Sequence, residues 1–181
     1  MRWDFFLSAV TILMFPAVAE ADTGTTVGSH GDWRVIAAVD EMTDKRWFGT
    51  VNHASGGAEL QVDCLPSQPK KLNVSFRSAD FMGNGMRDLV YRVPPHKAHT
   101  VTASYSDKSA FLICEAPCSA SYKTKPDDVL LNEVSNGGTL LVRFENFQFE
   151  TKDVVFNVDG AKEAFAEVIG GCERLANEHP K

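Results

Sequence analysis

Four residues carry the spacings in this chain most open to a chemical reading: Cys114 with Cys118, and His96 with His99. A cysteine pair can exchange thiols. Redox catalysis usually relies on a two-residue spacer at a helix N-terminus, which lowers the pKa of the attacking thiol. Here the spacer is Glu115-Ala116-Pro117, and it follows the strand-like run Phe111-Leu112-Ile113. That arrangement predicts a local disulfide pinning a turn. His96-x-x-His99 supplies two imidazoles, but a metal site needs three or four ligands in defined geometry. Lys97 sits between them, and no acidic or cysteine ligand lies close in sequence. The pair is expected to be solvent-exposed turn histidines, with no metal.

Ser55 lies beside His53 in Ala54-Ser55-Gly56-Gly57. It lacks the G-x-S-x-G pattern and the strand-to-helix setting of a nucleophile elbow, so a hairpin turn is expected. Gly83-Asn84-Gly85 has no helix pattern after it to present a positive N-terminus to phosphate, and reads as a tight turn. Asp127-Asp128 fits a helix start, where carboxylates complement the helix dipole. No catalytic residue and no cofactor is assigned. What remains is aromatic surface. Phe147 and Phe149 share strand parity with Glu145 rather than with Phe144, so they point away from it and could be exposed. The cluster Phe144, Phe147, Phe149 and Phe156 is expected to be mainly core, and the alternative is a binding surface of Phe147 and Phe149 with Tyr91 and Arg92.

These residues must be placed by elements, and the first question is which part of the chain remains after export. Residues 1–21 read as a signal peptide. Arg2 precedes an apolar run from Phe5 to Phe15, Pro16 breaks it, and Ala17-Val18-Ala19 overlaps Ala19-Glu20-Ala21 as a cleavage site. The run is well short of the about 20 residues a membrane span needs. The chain is therefore expected to be periplasmic or secreted, with no membrane span. Removing the leader moves the formal charge from −6 to −5. A mildly acidic chain with only the isolated basic pairs Lys45-Arg46 and Lys70-Lys71 is a poor partner for nucleic acid.

Cys64, Cys114, Cys118 and Cys172 read as two disulfides in an exported chain. Three connectivities exist. Cys64 lies on the apolar face of Leu60-Gln61-Val62-Asp63-Cys64, and Cys172 lies on the apolar stripe of a helix over 161–178. This shared facing ranks Cys64–Cys172 with Cys114–Cys118 first. The long bridge would contribute about 4.7 kcal/mol in the chain-entropy model.

Period-two alternation predicts strands at Trp33–Val39, Arg46–His53, Leu60–Cys64, Leu72–Arg77 and Leu89–Val93. It continues at Thr100–Tyr105, Ala110–Cys114, Leu140–Glu145 and Val154–Asp159. Asp127–Ser135 reads as a short helix. Phe165, Val168, Ile169, Cys172, Leu175 and Ala176 make an amphipathic stripe, and Asp159 or Gly160 can cap its start. Gly170-Gly171 inside it costs about 1 kcal/mol per residue against Ala, a cost that close approach to a sheet would offset. Residues 22–31, rich in Gly, Thr and Ser, are expected to form a flexible lead-in. The fold class is mainly β with α+β character. A single domain over 32–181 is expected: an antiparallel β-sandwich or open barrel with the C-terminal helix packed on it.

Trp33, Thr43-Asp44-Lys45, Leu60-x-Val62-x-Cys64 and Val90-Tyr91-Arg92 recur in a familiar order with Leu140-x-Val142-Arg143-Phe144, Phe156-x-Val158-x-Gly160, Glu163-Ala164 and Cys172. In this order and spacing the chain resembles the VasI-like exported bacterial proteins associated with type VI secretion. Cys114 and Cys118 are additions to that pattern. The resemblance implies a non-catalytic accessory protein with β-strands and a C-terminal helix. Three functions are ranked: a binding or accessory protein contacting another exported or envelope protein, a carrier of a small apolar ligand or lipid, and a hydrolytic or redox enzyme.

Overall fold

The computed structural model describes residues 24–39, 42, 46–65, 67–116, 118 and 125–178. The leader and Thr43-Asp44-Lys45 lie outside them. The elements run β1 Gly24–His30, β2 Trp33–Val39, β3 Arg46–His53, β4 Glu59–Leu65, β5 Gln68–Arg77, β6 Gly85–Arg92, β7 His99–Ser106 and β8 Ser109–Glu115. Helix α1, Pro126–Val134, follows, then β9 Thr139–Glu145, β10 Thr151–Asn157 and α2 Ala161–Glu178.

The strands form one antiparallel sheet in the order β1-β2-β3-β4-β5-β8-β7-β6-β9-β10. Alternation puts one residue in two on its inner face. Leu60, Val62 and Cys64 of β4 lie opposite Phe76, Val74 and Leu72 of β5. Further along, Leu89 and Tyr91 of β6 lie opposite Val101 and His99 of β7. Phe76 meets Phe144 of β9 and Phe156 of β10 with ring centroids 5.9 and 6.2 Å apart. Three strands separate β5 from β9 in the sheet, so the sheet folds over to enclose its inner face. It is an open barrel with β1 and β10 as its edges. A seam draws β10 toward β2 and β3. Asn52 donates from Nδ2 to the Asn157 carbonyl at 2.7 Å, and Trp33 Nε1 reaches the Val158 carbonyl at 3.4 Å.

Helix α2 packs on the inner face at β1–β5. Phe165 meets Trp33 edge-on at 5.1 Å, and Cys172 is joined to Cys64, with the Cα atoms 6.4 Å apart. A Cβ on Gly171 would lie 2.4 Å from the Phe48 ring, so glycine there is what lets the helix seat. Gly170 has no such neighbour apart from the Arg174 guanidinium at 3.7 Å. Only the second of the two glycines is required by packing. Gly160 sits at positive φ at the start of α2, where a Cβ would meet the His30 carbonyl. Asp159 is used elsewhere: its Oδ1 accepts from Gly138 N at 2.7 Å.

The expected lead-in is corrected. Gly24–His30 within it is edge strand β1, paired antiparallel with β2. Its glycines mark close approach rather than freedom. A Cβ on Gly24 would strike Ile36, and one on Gly28 would strike the Glu167 carboxylate. Thr25, Thr26 and Val27 supply the strand propensity between them.

Candidate functional site

Two places in this scaffold gather side chains that packing alone does not require. They lie at opposite ends of β6. At its start, three connections converge: β5–β6, β7–β8 and β9–β10. Arg87 of β6 ties the first of these to the end of β9. Its guanidinium lies 4.3 Å from the Tyr105 ring centroid. It donates to the Met82 carbonyl at 2.6 Å, the Asn84 carbonyl at 3.2 Å and the Glu145 carbonyl at 3.3 Å. Three charge-assisted bonds from one rigid fork fix the β5–β6 connection against the end of β9. Asn84 Oδ1 accepts from Asp107 N at 2.9 Å, and Lys152 pairs with Asp80.

The β9–β10 connection is closed by Asn146, whose Oδ1 accepts from Gln148 N and Glu150 N, both at 2.9 Å. This Asx turn puts Phe149 at a φ of 61°. Phe147 is 51 % exposed and Phe149 77 % exposed. Phe81, from the β5–β6 connection, meets Phe147 edge-on at 5.6 Å. The expectation that Phe147 and Phe149 belong mainly to the core is corrected: both lie in the β9–β10 turn, off the strands, and are exposed. Phe81 and Arg87 escaped sequence reasoning. Phe81 carried one available signal, a large aromatic inside a Gly/Asn-rich connection.

Tyr91 does not belong to the alternative binding surface. It is 1 % exposed, on the inner face opposite Val142 and His99. Alternation turns Arg92 outward, where its Nε donates to the His96 carbonyl at 3.1 Å.

The other place lies at the far end of β6, under α1. His99 stacks on Tyr91 with centroids 4.9 Å apart. Its Nε2 lies 3.0 Å from Glu133 Oε1, and its Nδ1 lies 3.8 Å from Glu115 Oε1. His96 Nδ1 lies 3.7 Å from the same Glu133 oxygen. His99 is thus nearly buried, contrary to the expectation of an exposed turn residue. Its carboxylate partner comes from α1, far along the chain. Glu133 is 6 % exposed, and its Oε2 is buried with no hydrogen-bond partner among the described residues. A small cleft lies between Tyr91, His99, Val101, Glu115, Pro126 and Val129. Burial, reinforced by Glu133, Glu115 and Asp127, raises the Tyr91 phenol well above its ordinary value. Burial also pushes the Asp127 carboxyl up to about 6, against the opposing pull of Lys125. Among the described residues, no three His, Cys, Asp or Glu side chains are grouped to hold a metal ion.

The second disulfide, Cys114–Cys118, starts one residue before Glu115 of this cleft, with Cα atoms 5.5 Å apart. Ser55 occupies the expected hairpin, closed by Ala54 N donating to the Ala58 carbonyl at 2.8 Å, with Gly56 and Gly57 at positive φ. Among the described residues no helix is long and apolar enough to cross a membrane. No family model matches the chain, and neither a curated protein nor a solved structure matches it.

Proposed function

We propose that this is an exported, non-catalytic binding or accessory protein, stapled by disulfides, that engages another exported or envelope protein through Phe81, Phe147 and Phe149. One observation carries the reading. These aromatics are exposed yet held, because Arg87 and the Asn146 turn fix the connections that present them. An aromatic side chain that is already ordered loses little freedom on binding, which is the property of an interface anchor. The inward aromatics Phe144 and Phe156 pack against Phe76 and fill the interior where an apolar ligand would have to sit. The resemblance to VasI-like proteins gives the reading its secretion-associated setting.

The test is cross-linking and pull-down from the exported compartment with the wild type and a Phe147→Ser, Phe149→Ser double variant. Both residues are exposed turn positions, so the variant is expected to keep the wild-type circular dichroism and thermal midpoint. It is expected to lose the captured protein. Undiminished capture of the same protein by the variant would sink the proposal.

A further inference from the structure

The two disulfides are chemically unequal. Cys64 and Cys172 are buried at 1 % and 0 % exposure beneath α2. Cys118 is exposed, and its partner Cys114 lies near the end of β8, next to Glu115 of the His99 cleft. A disulfide opens when a thiolate reaches one of its sulfurs, so access decides which bond reacts in the folded protein. We propose that Cys114–Cys118 is a redox latch, opened by a dithiol while Cys64–Cys172 stays closed, and that its opening loosens α1 from the sheet.

The chemistry balances with a dithiol as the two-electron reductant. One of its thiolates attacks Cys118 Sγ, the Cys114–Cys118 bond breaks, and the electron pair leaves on Cys114 Sγ, which takes up a proton. The second thiol of the reductant then attacks its own sulfur in the mixed disulfide, and Cys118 leaves as a thiolate that is protonated in turn. The dithiol becomes a disulfide, and the protein gains two thiols.

The mechanical consequence follows from what adjoins Cys114. Glu115 faces His99 Nδ1, and Ala116 N donates to the Thr100 carbonyl at 2.9 Å. His99 in turn holds Glu133 of α1. The small covalent ring therefore fixes the chain where it leaves β8, on the strand against which α1 packs. Beyond these polar contacts, α1 is held by a short apolar face, Leu130 and Val134. Glu133 Oε2 has no hydrogen-bond partner among the described residues, and no side chain caps the α1 N-terminus. By contrast α2 is twice as long, with a larger buried face and its own buried bridge. The latch rests on no part of the binding proposal, and its test involves no partner.

The experiment uses the full exported chain treated with graded dithiothreitol under native conditions. Free thiols are trapped with one alkylating agent, and the remainder with a second of different mass after denaturation and full reduction. Peptide masses are expected to show Cys114 and Cys118 trapped at least about tenfold faster than Cys64 and Cys172, while the protein is still folded. Hydrogen exchange in that state is expected to rise severalfold in the Leu130–Val134 amides and to stay unchanged in α2. A Cys114→Ser, Cys118→Ser variant is expected to show the same exchange pattern without reductant. Opening of both bonds at one rate, opening only on unfolding, or unchanged exchange in α1 would each overturn the latch.

Discussion

Helices α1 and α2 both close the inner face of one folded sheet, but they are held in opposite ways. Under α2 the seat is apolar: Trp33 against Phe165, Phe48 against Gly171, and a disulfide with no route to solvent. Under α1, Leu130 and Val134 are buried too, but polar groups share the seat: His99, Glu133, Glu115, His96 and Asp127. Apolar burial and a covalent tie are indifferent to pH, whereas a buried carboxyl seat is not. The difference teaches that one scaffold can carry a permanent closure and a conditional one. The bridge that closes the longer loop is the buried one. Its cross-link restricts the unfolded chain by about 4.7 kcal/mol in the entropy model, against about 2 kcal/mol for a loop as short as Cys114–Cys118.

The comparison breaks most readily at the long bridge. A Cys64→Ser, Cys172→Ser double variant is expected to lose about 4 kcal/mol in urea unfolding, the native figure being reduced by whatever strain the bond carries. A loss no larger than that of the Cys114→Ser, Cys118→Ser variant would abolish the asymmetry. A smaller effect is expected at the glycine pair. Gly171→Ala forces the helix off Phe48 and should cost about 1–3 kcal/mol. Gly170→Ala meets no clash and should gain up to about 1 kcal/mol from helix propensity. Equal effects at the two positions would show that α2 does not depend on close approach.

The smallest effect concerns the polar seat. Burial raises the Asp127 carboxyl from 3.8 to about 6 in the folded chain. The folded state therefore binds more protons than the unfolded state between these values, and stability falls as pH rises through that window. The cost is fully present above pH 6 and absent below about pH 4. Asp127→Asn is expected to stabilise the protein by about 1 kcal/mol at pH 7, after discounting for the residue's partial exposure and for lost interaction with the helix dipole. No gain is expected at pH 4. Urea midpoints at the two pH values measure this, and an equal change at both would remove Asp127 from the titrating seat.

Much of this fold was legible because it rests on local periodicity. The alternation in Leu72–Arg77 and Leu140–Glu145, and the stripe from Phe165 to Leu175, place those residues with no knowledge of their partners. The facing of Cys64 and Cys172 was legible for the same reason. Strand β1 was not, because Gly24 and Gly28 carry the same letter whether they serve freedom or close contact, and only Ile36 and Glu167 decide which. The polar seat was not legible either. His99 and Glu133 belong to different elements and meet only when α1 folds back over β8. Arg87 looked like an ordinary outward strand cation, and its carbonyl partners, two in the β5–β6 connection and one at the end of β9, meet in a way no periodicity encodes.

The seam between β10 and β3 gives the barrel a preferred way to fail. The Asn52 side chain fastens it by donating to the Asn157 carbonyl, whereas every other neighbour in the strip is joined by a ladder of main-chain bonds. A wall built this way parts first at its clasp. The rings it would uncover, Phe76, Phe144 and Phe156, are the ones most prone to adhere to another opened copy.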